Sequence, residues 1–184
     1  GTGRITQGTG AVLNIGGTSG ITNLTATATG NTVNYTGAAQ TVHNNAYVHL
    51  GLSGSGAKTL NVGTTSITGD LTLGGTASVT GVAGLTIGGT VTLGSGTTFT
   101  GGAFTHNVGG GWTNNGGSFV NAGSSINLNG GAQSIGGSAS TTFNNLTLSG
   151  SGTKTFGLAT FTGGTLTISS GVVAVIGAGS NCQW

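Results

Sequence analysis

Two segments of this sequence carry closely related text. Residues 33–60 and residues 126–156 both contain an Ala-Gln pair followed by Leu-Ser-Gly-Ser-Gly, and the second copy has three more residues between these two motifs. Lys58 and Lys154 occupy equivalent places after the second motif. A long repeat in an otherwise simple sequence is typical of elongated proteins built from stacked units. We therefore expect one domain over residues 1–184, with an internal duplication.

Short runs in which an aliphatic residue alternates with Thr recur along the chain, as in Leu71-Thr-Leu73, Val91-Thr-Leu93 and Leu146-Thr-Leu148. Such alternation buries one face of a strand and hydrates the other. The 42 glycines suit tight corners and disfavour helix. The pattern predicts an all-β fold, a right-handed parallel β-solenoid of roughly nine short rungs with about 18–22 residues each. A flexible Gly-rich linker is the alternative, and the regular alternation argues against it.

Charged residues are almost absent, because Arg4, Lys58, Asp70 and Lys154 are the whole set. In-register stacking places like residues next to each other, where like charges repel but Thr, Ser and Asn can form hydrogen-bonded ladders. Three cations cannot form a phosphate-binding surface, so we expect no nucleic-acid partner. No apolar run reaches the roughly 18–20 residues of a membrane span.

The aromatic residues are expected to divide between the core and one loop. The stretch from Val108 to Gly123 has the weakest strand pattern and is predicted to be a corner loop that carries Trp112. The six phenylalanines are expected to be stacked core residues: Phe99, Phe104, Phe119, Phe143, Phe156 and Phe161.

Catalytic constellations are missing from the sequence. Asp70 is the only carboxylate side chain, so no pair of carboxylates exists for acid–base chemistry, and we interpret it as a turn residue. His43, His49, His106 and Cys182 are too scattered for a metal site of three or four convergent ligands. No serine has a triad or a nucleophile elbow. We therefore predict a protein that is not an enzyme, with no catalytic residue, cofactor or metal.

The segment Asn145-Leu-Thr-Leu-Ser-Gly-Ser-Gly-Thr-Lys-Thr-Phe156 resembles the Thr/Gly/Ser/Asn-rich repeat regions of large secreted bacterial surface proteins, such as adhesin or autotransporter passengers and Bacteroidota-like secreted repeat proteins. The stretch 164–171 is similar in style, and the resemblance covers about residues 30–175. The resemblance implies an extracellular or cell-surface β-solenoid with a structural or adhesive role. The start at Gly1 is consistent with a removed leader or with excision from a longer chain.

The two ends of a solenoid expose unpaired strand edges, and no amphipathic cap is evident at either end of this sequence. We therefore predict a structural subunit of an extracellular filament, with itself as partner in a head-to-tail homopolymer. Low charge removes the repulsion that would oppose such contacts. The expected interface residues are Ala11, Val12, Leu13, Ile15, Val172, Val173, Val175, Ile176, Cys182 and Trp184.

Two other functions stay open at this point. The chain could be a fragment of an adhesin stalk, acting as a spacer or binding cell-surface glycans through exposed Trp112, Tyr35 or Tyr47. Ice binding by a flat Thr surface is the third hypothesis. It is disfavoured because Thr-x-Thr pairs such as Thr153-Lys-Thr155 do not recur at a regular spacing.

Overall fold

A computed structural model describes residues 3–161 and 164–183. Within these residues the fold is all-β, as the alternating pattern predicted, and every pair of named strands is parallel. Most of the strands are short because a turn residue follows almost every alternating run. In chain order they are β1 (Gly3–Thr6), β2 (Val12–Ile15), β3 (Ile21–Thr25), β4 (Thr32–Tyr35), β5 (Gln40–Thr41), β6 (His49–Leu52), β7 (Ser55–Thr59), β8 (Ser66–Ile67), β9 (Leu71–Leu73), β10 (Thr76–Thr80), β11 (Thr86–Ile87), β12 (Val91–Gly94), β13 (Thr98–Thr100), β14 (Thr105–Val108), β15 (Trp112–Asn115), β16 (Ser118–Val120), β17 (Ser125–Leu128), β18 (Gln133–Gly137), β19 (Thr141–Phe143), β20 (Asn145–Leu148), β21 (Gly152–Phe161), β22 (Leu166–Ile168) and β23 (Val172–Gln183).

The strands wind into a three-sided parallel β-solenoid. The first side stacks β2, β4, β6, β9, β12, β15, β18, β21 and β23 in that order. The second side stacks β5, β7, β10, β13 and β16, and the third side stacks β8, β11, β14, β17, β20 and β22. Strand β21 extends around a corner, because its first half pairs with β18 and its last residues pair with β19.

Successive coils take about 17–23 residues, as the pairing of Thr32 with His49 and of Trp112 with Ile135 shows. From β2 to β23 the described chain completes about eight turns, close to the roughly nine rungs predicted. At about 4.8 Å between strands, the stack is about 4 nm long. The predicted β-solenoid is therefore confirmed.

Inward-facing residues form continuous apolar columns between the three sides. The interior members of one column on the first side are almost inaccessible to water, since each is at most 1% exposed. Burying this much apolar surface is the main term that stabilises the stack. From edge to edge the column contains Leu13, Val33, Leu50, Leu71, Val91, Trp112, Ile135, Phe156 and Ile176.

Outward-facing residues form the polar ladders expected from the lack of charge. Asn34 Nδ2 donates to Asn14 Oδ1 over 2.8 Å, and Asn127 Nδ2 donates to Asn107 Oδ1 over 2.9 Å. On the second side the in-register pairs place Thr59, Thr80 and Thr100 above one another. The asparagine side chains thus bond to one another, and the neutral threonines stack without the repulsion that stacked charges would cause.

The predicted corner loop around Trp112 is wrong. This stretch contains β15 and β16, and Trp112 is only 1% exposed. Its ring packs edge-on against Phe119 and Phe143, with centroid distances of 4.9 and 5.5 Å. Its Nε1–H donates to Thr141 Oγ1 over 3.0 Å. Glycines on both sides of the strand hid its pattern, but the large ring and the buried hydrogen-bond partner fix it in the core.

The core role predicted for the phenylalanines is confirmed for four of the six. Phe99, Phe119, Phe143 and Phe156 are buried, whereas Phe104 is only half-buried. The side chain of Phe161 lies outside the described residues.

His106 is a fully buried imidazole beside this aromatic cluster. Its Nδ1 accepts the Leu85 N–H over 3.2 Å, so the neutral ring carries its hydrogen on Nε2. Nε2 donates that hydrogen to the Gly101 carbonyl over 2.8 Å. Burial lowers the pKa of His106, and the Gly101 carbonyl opposes that effect in part.

The buried His106 should make the protein less stable in mild acid. Because its pKa is lower in the folded state, the unfolded chain binds more protons below about pH 6.5. The free energy of unfolding is therefore highest above that pH and falls as the pH decreases, by at most about 1.4 kcal/mol per pH unit. Urea denaturation at acidic and neutral pH measures this, and the variant His106→Gln should show a smaller difference. The same pH dependence in both proteins would contradict the assignment.

Candidate functional sites at the corners and ends of the solenoid

The duplicated segments form the same corner twice, on different sides of the solenoid. The first copy uses β4 and β6 on the first side and β5 and β7 on the second side. The second copy uses β17 and β20 on the third side and β18 and β21 on the first side. The second copy lies four full coils and two more sides further along the solenoid than the first copy. The repeated unit is therefore one corner together with the strands on its two sides.

The Ser-Gly-Ser-Gly motif makes the bend of each corner. Gly54 and Gly56 have φ angles of 76° and 67°, and Gly150 and Gly152 have nearly the same values, 77° and 73°. A Cβ on Gly54 would lie 2.1 Å from the Gly37 carbonyl oxygen. Only glycine combines this backbone conformation with such a close approach, which explains why the motif recurs unchanged.

Each corner encloses a buried lysine. Lys58 is 1% exposed, and its ammonium group donates to the carbonyl oxygens of Gly37 (2.7 Å) and Ala38 (2.5 Å) and to Gln40 Oε1 (3.0 Å). Gln40 in turn donates through Nε2 to the carbonyl of Ile15 on the coil below, over 2.8 Å. Lysine and glutamine thus connect three successive coils through polar contacts inside the stack.

The second corner repeats this arrangement. Lys154 is fully buried and donates to the carbonyls of Gly130 (2.8 Å) and Gly131 (2.7 Å) and to Gln133 Oε1. Gln133 Nε2 donates to the Val108 carbonyl over 2.8 Å. Burial lowers the pKa of both lysines, because it removes water from the ammonium group. The carbonyl acceptors take the place of that water, so we assign a structural role to both corners.

The glutamines are the residues whose role the sequence did not reveal. Gln40 and Gln133 are 9% and 6% exposed, and each connects its lysine to the coil below. The available signal was that the Ala-Gln pair occurs in both copies of the repeat.

At the end formed by β22 and β23, residues in core positions are uncovered. Ile176 continues the column that includes Phe156, yet it is 52% exposed, whereas Phe156 is 1% exposed. Ile168 continues the third-side column above Leu148 and is 50% exposed, whereas Leu148 is fully buried. No described strand pairs with the outer edge of either β22 or β23.

The opposite end is formed by β1 and β2. Strand β1 pairs with β3, while β2 is the edge strand of the first side. On β2, Leu13 and Ile15 face the core and Val12 faces outward with 62% exposure. Within the described residues, the first-side sheet therefore has one open edge at β2 and another at β23.

Nine of the ten predicted interface residues lie on, or directly before, these two edge strands. Ala11 directly precedes β2, which contains Val12, Leu13 and Ile15. Strand β23 contains Val172, Val173, Val175 and Ile176, and Val173 and Val175 lie in register with the outward-facing Thr153 and Thr155. The backbone of Cys182 pairs with Ala159, and its side chain is not described. Trp184 lies outside the described residues.

The aromatic residues suggested for glycan binding are not on the surface. Trp112, Tyr35 and Tyr47 are each at most 1% exposed. The two tyrosine hydroxyl groups lie 3.2 Å apart, and Tyr47 donates to the His43 carbonyl over 2.6 Å. Burial, followed by the hydrogen bond to Tyr35, raises the pKa of Tyr47. The prediction that these three rings are exposed and bind a glycan is therefore wrong.

Asp70 forms a small polar contact on the surface of the first side. Its Oδ2 lies 3.2 Å from His49 Nδ1, and its Oδ1 accepts the Thr90 N–H over 2.8 Å. His49 Nδ1 also accepts the Asp70 N–H over 3.1 Å. Both side chains are at least a third exposed, so this contact contributes little to stability. Asp70 precedes β9 in a turn, as the sequence suggested.

Across residues 3–161 and 164–183, no three or more His, Cys, Asp and Glu side chains converge in a way that could hold a metal ion. The same part of the chain contains no helix with the length and apolar character needed to cross a membrane.

No protein-family model matches the chain, and comparisons with curated proteins and with solved structures find no significant match.

Proposed function

We propose that the chain is a structural subunit of an extracellular filament, in which copies stack end to end through the open edges of the first side. The observation that carries the proposal is the first-side column from Leu13 to Ile176. Every interior member is at most 1% exposed, whereas Ile176 at one end is 52% exposed. A further coil on β23 would give this end residue the environment that its neighbours have.

A second copy of the chain offers a matching strand. Continuing the register of the column would place Leu13 of one copy on Ile176 of the next and Val12 on Val175, with parallel strands throughout. Val12 and Val175 are 62% and 39% exposed, so the contact would cover apolar surface on both partners. Burying the exposed half of Ile176 contributes on the order of 1 kcal/mol, in addition to the new backbone hydrogen bonds.

Such a contact joins two different surfaces, so it repeats without closing and produces a fibre. The net charge of +2 on 184 residues offers little repulsion between copies. The extracellular location is part of the same proposal, and its support is the resemblance of residues 145–156 to secreted surface repeats. The alternative is a spacer segment of a longer adhesin stalk, where further coils of the same chain would cover these edges.

The filament is tested with the purified 184-residue chain by sedimentation over a range of concentrations and by electron microscopy. We expect association that grows with concentration and fibres with an axial repeat near 4 nm, the length of about eight stacked turns. The variant Ile176→Asp places a charge in the apolar contact and should abolish the fibres.

Val62→Asp is the matched control, because Val62 is 73% exposed in a turn between β7 and β8. This variant should assemble like the original chain. A chain that stays monomeric at all concentrations would overturn the filament and favour the spacer.

A further inference from the structure

The second side of the solenoid is interrupted at its beginning. Its sheet ends at β5, and no described strand pairs with the outer edge of β5. In the coil below, residues 16–20 form a loop between β2 and β3 instead of a strand. A cavity of about 570 Å³ opens between this loop and β5. That volume lies within the range of small-molecule sites, about 300–1,000 Å³.

The wall of the cavity is apolar on one part and polar on the other. Ile15 and Ile21 supply the apolar part, whereas Tyr35 and Val42, which also line the cavity, are at most 1% exposed. Hydroxyl groups come from Thr18, Ser19 and Thr41, and amide groups come from Asn44 and Asn61. Apolar patches beside amides and hydroxyl groups suit a pyranose ring, which has C–H faces and hydroxyl edges.

The charge of the cavity points to a neutral ligand. Among the described residues, no Asp, Glu, Lys or Arg lines it. Lys58 lies close by, but the carbonyls of Gly37 and Ala38 and the Gln40 amide oxygen surround its ammonium group. An anionic ligand would lose its hydration without meeting a free cation, and a cationic ligand would meet no carboxylate.

His43 supplies an unused acceptor at the cavity wall. Its backbone is held by Tyr35 and Tyr47, since the His43 N–H donates to Tyr35 Oη over 2.8 Å and its carbonyl accepts from Tyr47. Its ring Nε2 lies 3.3 Å from the Thr22 carbonyl and donates to it in the neutral form. Nδ1 is then an acceptor with almost no exposed surface, and no described residue donates a hydrogen bond to it. A buried acceptor without a donor is costly, and a ligand hydroxyl group would satisfy it once the ring turns toward the cavity.

We propose that this cavity binds one neutral saccharide unit, with a sugar hydroxyl group donating to His43 Nδ1 and a C–H face against Ile15 and Ile21. The site lies between residues 16–20 and β5, in the first two coils of the solenoid. It does not depend on the filament. Trp112, Tyr35 and Tyr47 are buried, so none of them offers an exposed ring on which the sugar could stack.

The test is a titration followed by amide NMR spectra of the full chain. The neutral probes are glucose, galactose, mannose, xylose and N-acetylglucosamine, and the charged probes are glucosamine and glucuronate. We expect at least one neutral sugar to bind with a dissociation constant in the millimolar range and to shift signals from residues 16–19, 38–44 and 61. The charged probes should bind at least tenfold more weakly than that sugar.

Thr18→Trp should weaken binding at least tenfold, because Thr18 is exposed in the loop and a large ring there fills the cavity. His43→Phe removes the acceptor while keeping a planar ring, and it should weaken binding similarly. Ser95→Trp, in an exposed turn after β12, is the matched control and should bind like the original chain. The proposal is overturned if no neutral sugar binds, if the shifts lie outside the cavity, or if a folded Thr18→Trp variant binds unchanged.

Discussion

Replacing Trp112 by alanine is expected to lower the free energy of unfolding by about 4 kcal/mol. The indole is 1% exposed and packs against three aromatic rings, those of Phe99, Phe119 and Phe143. Its removal leaves a large cavity in the middle of the first-side column, and the coils above and below cannot close it without breaking their backbone ladders. It also leaves Thr141 without its buried hydrogen-bond donor.

Thermal denaturation followed by circular dichroism measures the effect. For a chain of this size, 4 kcal/mol corresponds to a decrease in Tm of about 8–16 °C. Trp112→Phe keeps a ring but loses the Nε1–H, and its cost should be clearly smaller. Val62→Ala, at a residue that is 73% exposed, should change the Tm very little. A Trp112→Ala variant that melts with the original protein would contradict the core position of this residue.

Replacing either buried lysine by methionine is expected to lower the free energy of unfolding by about 3 kcal/mol. Methionine preserves much of the volume of the side chain, so the main loss is the ammonium group. Without Lys154, the carbonyls of Gly130 and Gly131 and the Gln133 amide oxygen lose their donor in a dry corner. Unsatisfied buried acceptors cost about 1–3 kcal/mol each, and a partial collapse of the corner reduces the sum.

The duplication supplies a test within one chain. Lys58→Met and Lys154→Met should destabilise the protein by similar amounts, because the two corners make equivalent contacts. Arg4→Met also removes one cation, but from an exposed position on β1, and should have little effect. Urea denaturation of the three variants measures the difference. Equal stabilities for all three would show that the buried ammonium groups contribute nothing.

Several features of the fold could be predicted because they depend on local chemistry. The alternation in Leu71-Thr-Leu73 or Leu146-Thr-Leu148 identifies strands with one dry face, since neighbouring side chains of a strand point to opposite sides. The density of glycine identifies the corners, and the near absence of charge agrees with in-register stacking. These signals were sufficient to predict the parallel solenoid and the length of its coils.

The roles of particular residues depended on contacts between coils. Lysine is normally a surface residue, and only the carbonyl oxygens of a neighbouring coil make an inward position acceptable for Lys58 and Lys154. Trp112 stands among glycines that weaken its strand pattern, and its place was decided by the Phe99, Phe119 and Phe143 rings of other coils.

The sequence alone determined that residues 33–60 and 126–156 form the same local unit. Both segments contain the Ser-Gly-Ser-Gly motif that makes the bend, together with a Gln and a Lys at equivalent places. The sequence did not determine on which sides of the solenoid the copies lie. That was decided by the number of residues in the coils between them, which places the second copy four coils and two sides further along. The cavity beside β5 was also decided by the tertiary structure. Residues 16–20 form a loop there, and whether such a segment becomes a strand or a loop depends on the strand that the next coil presents for pairing.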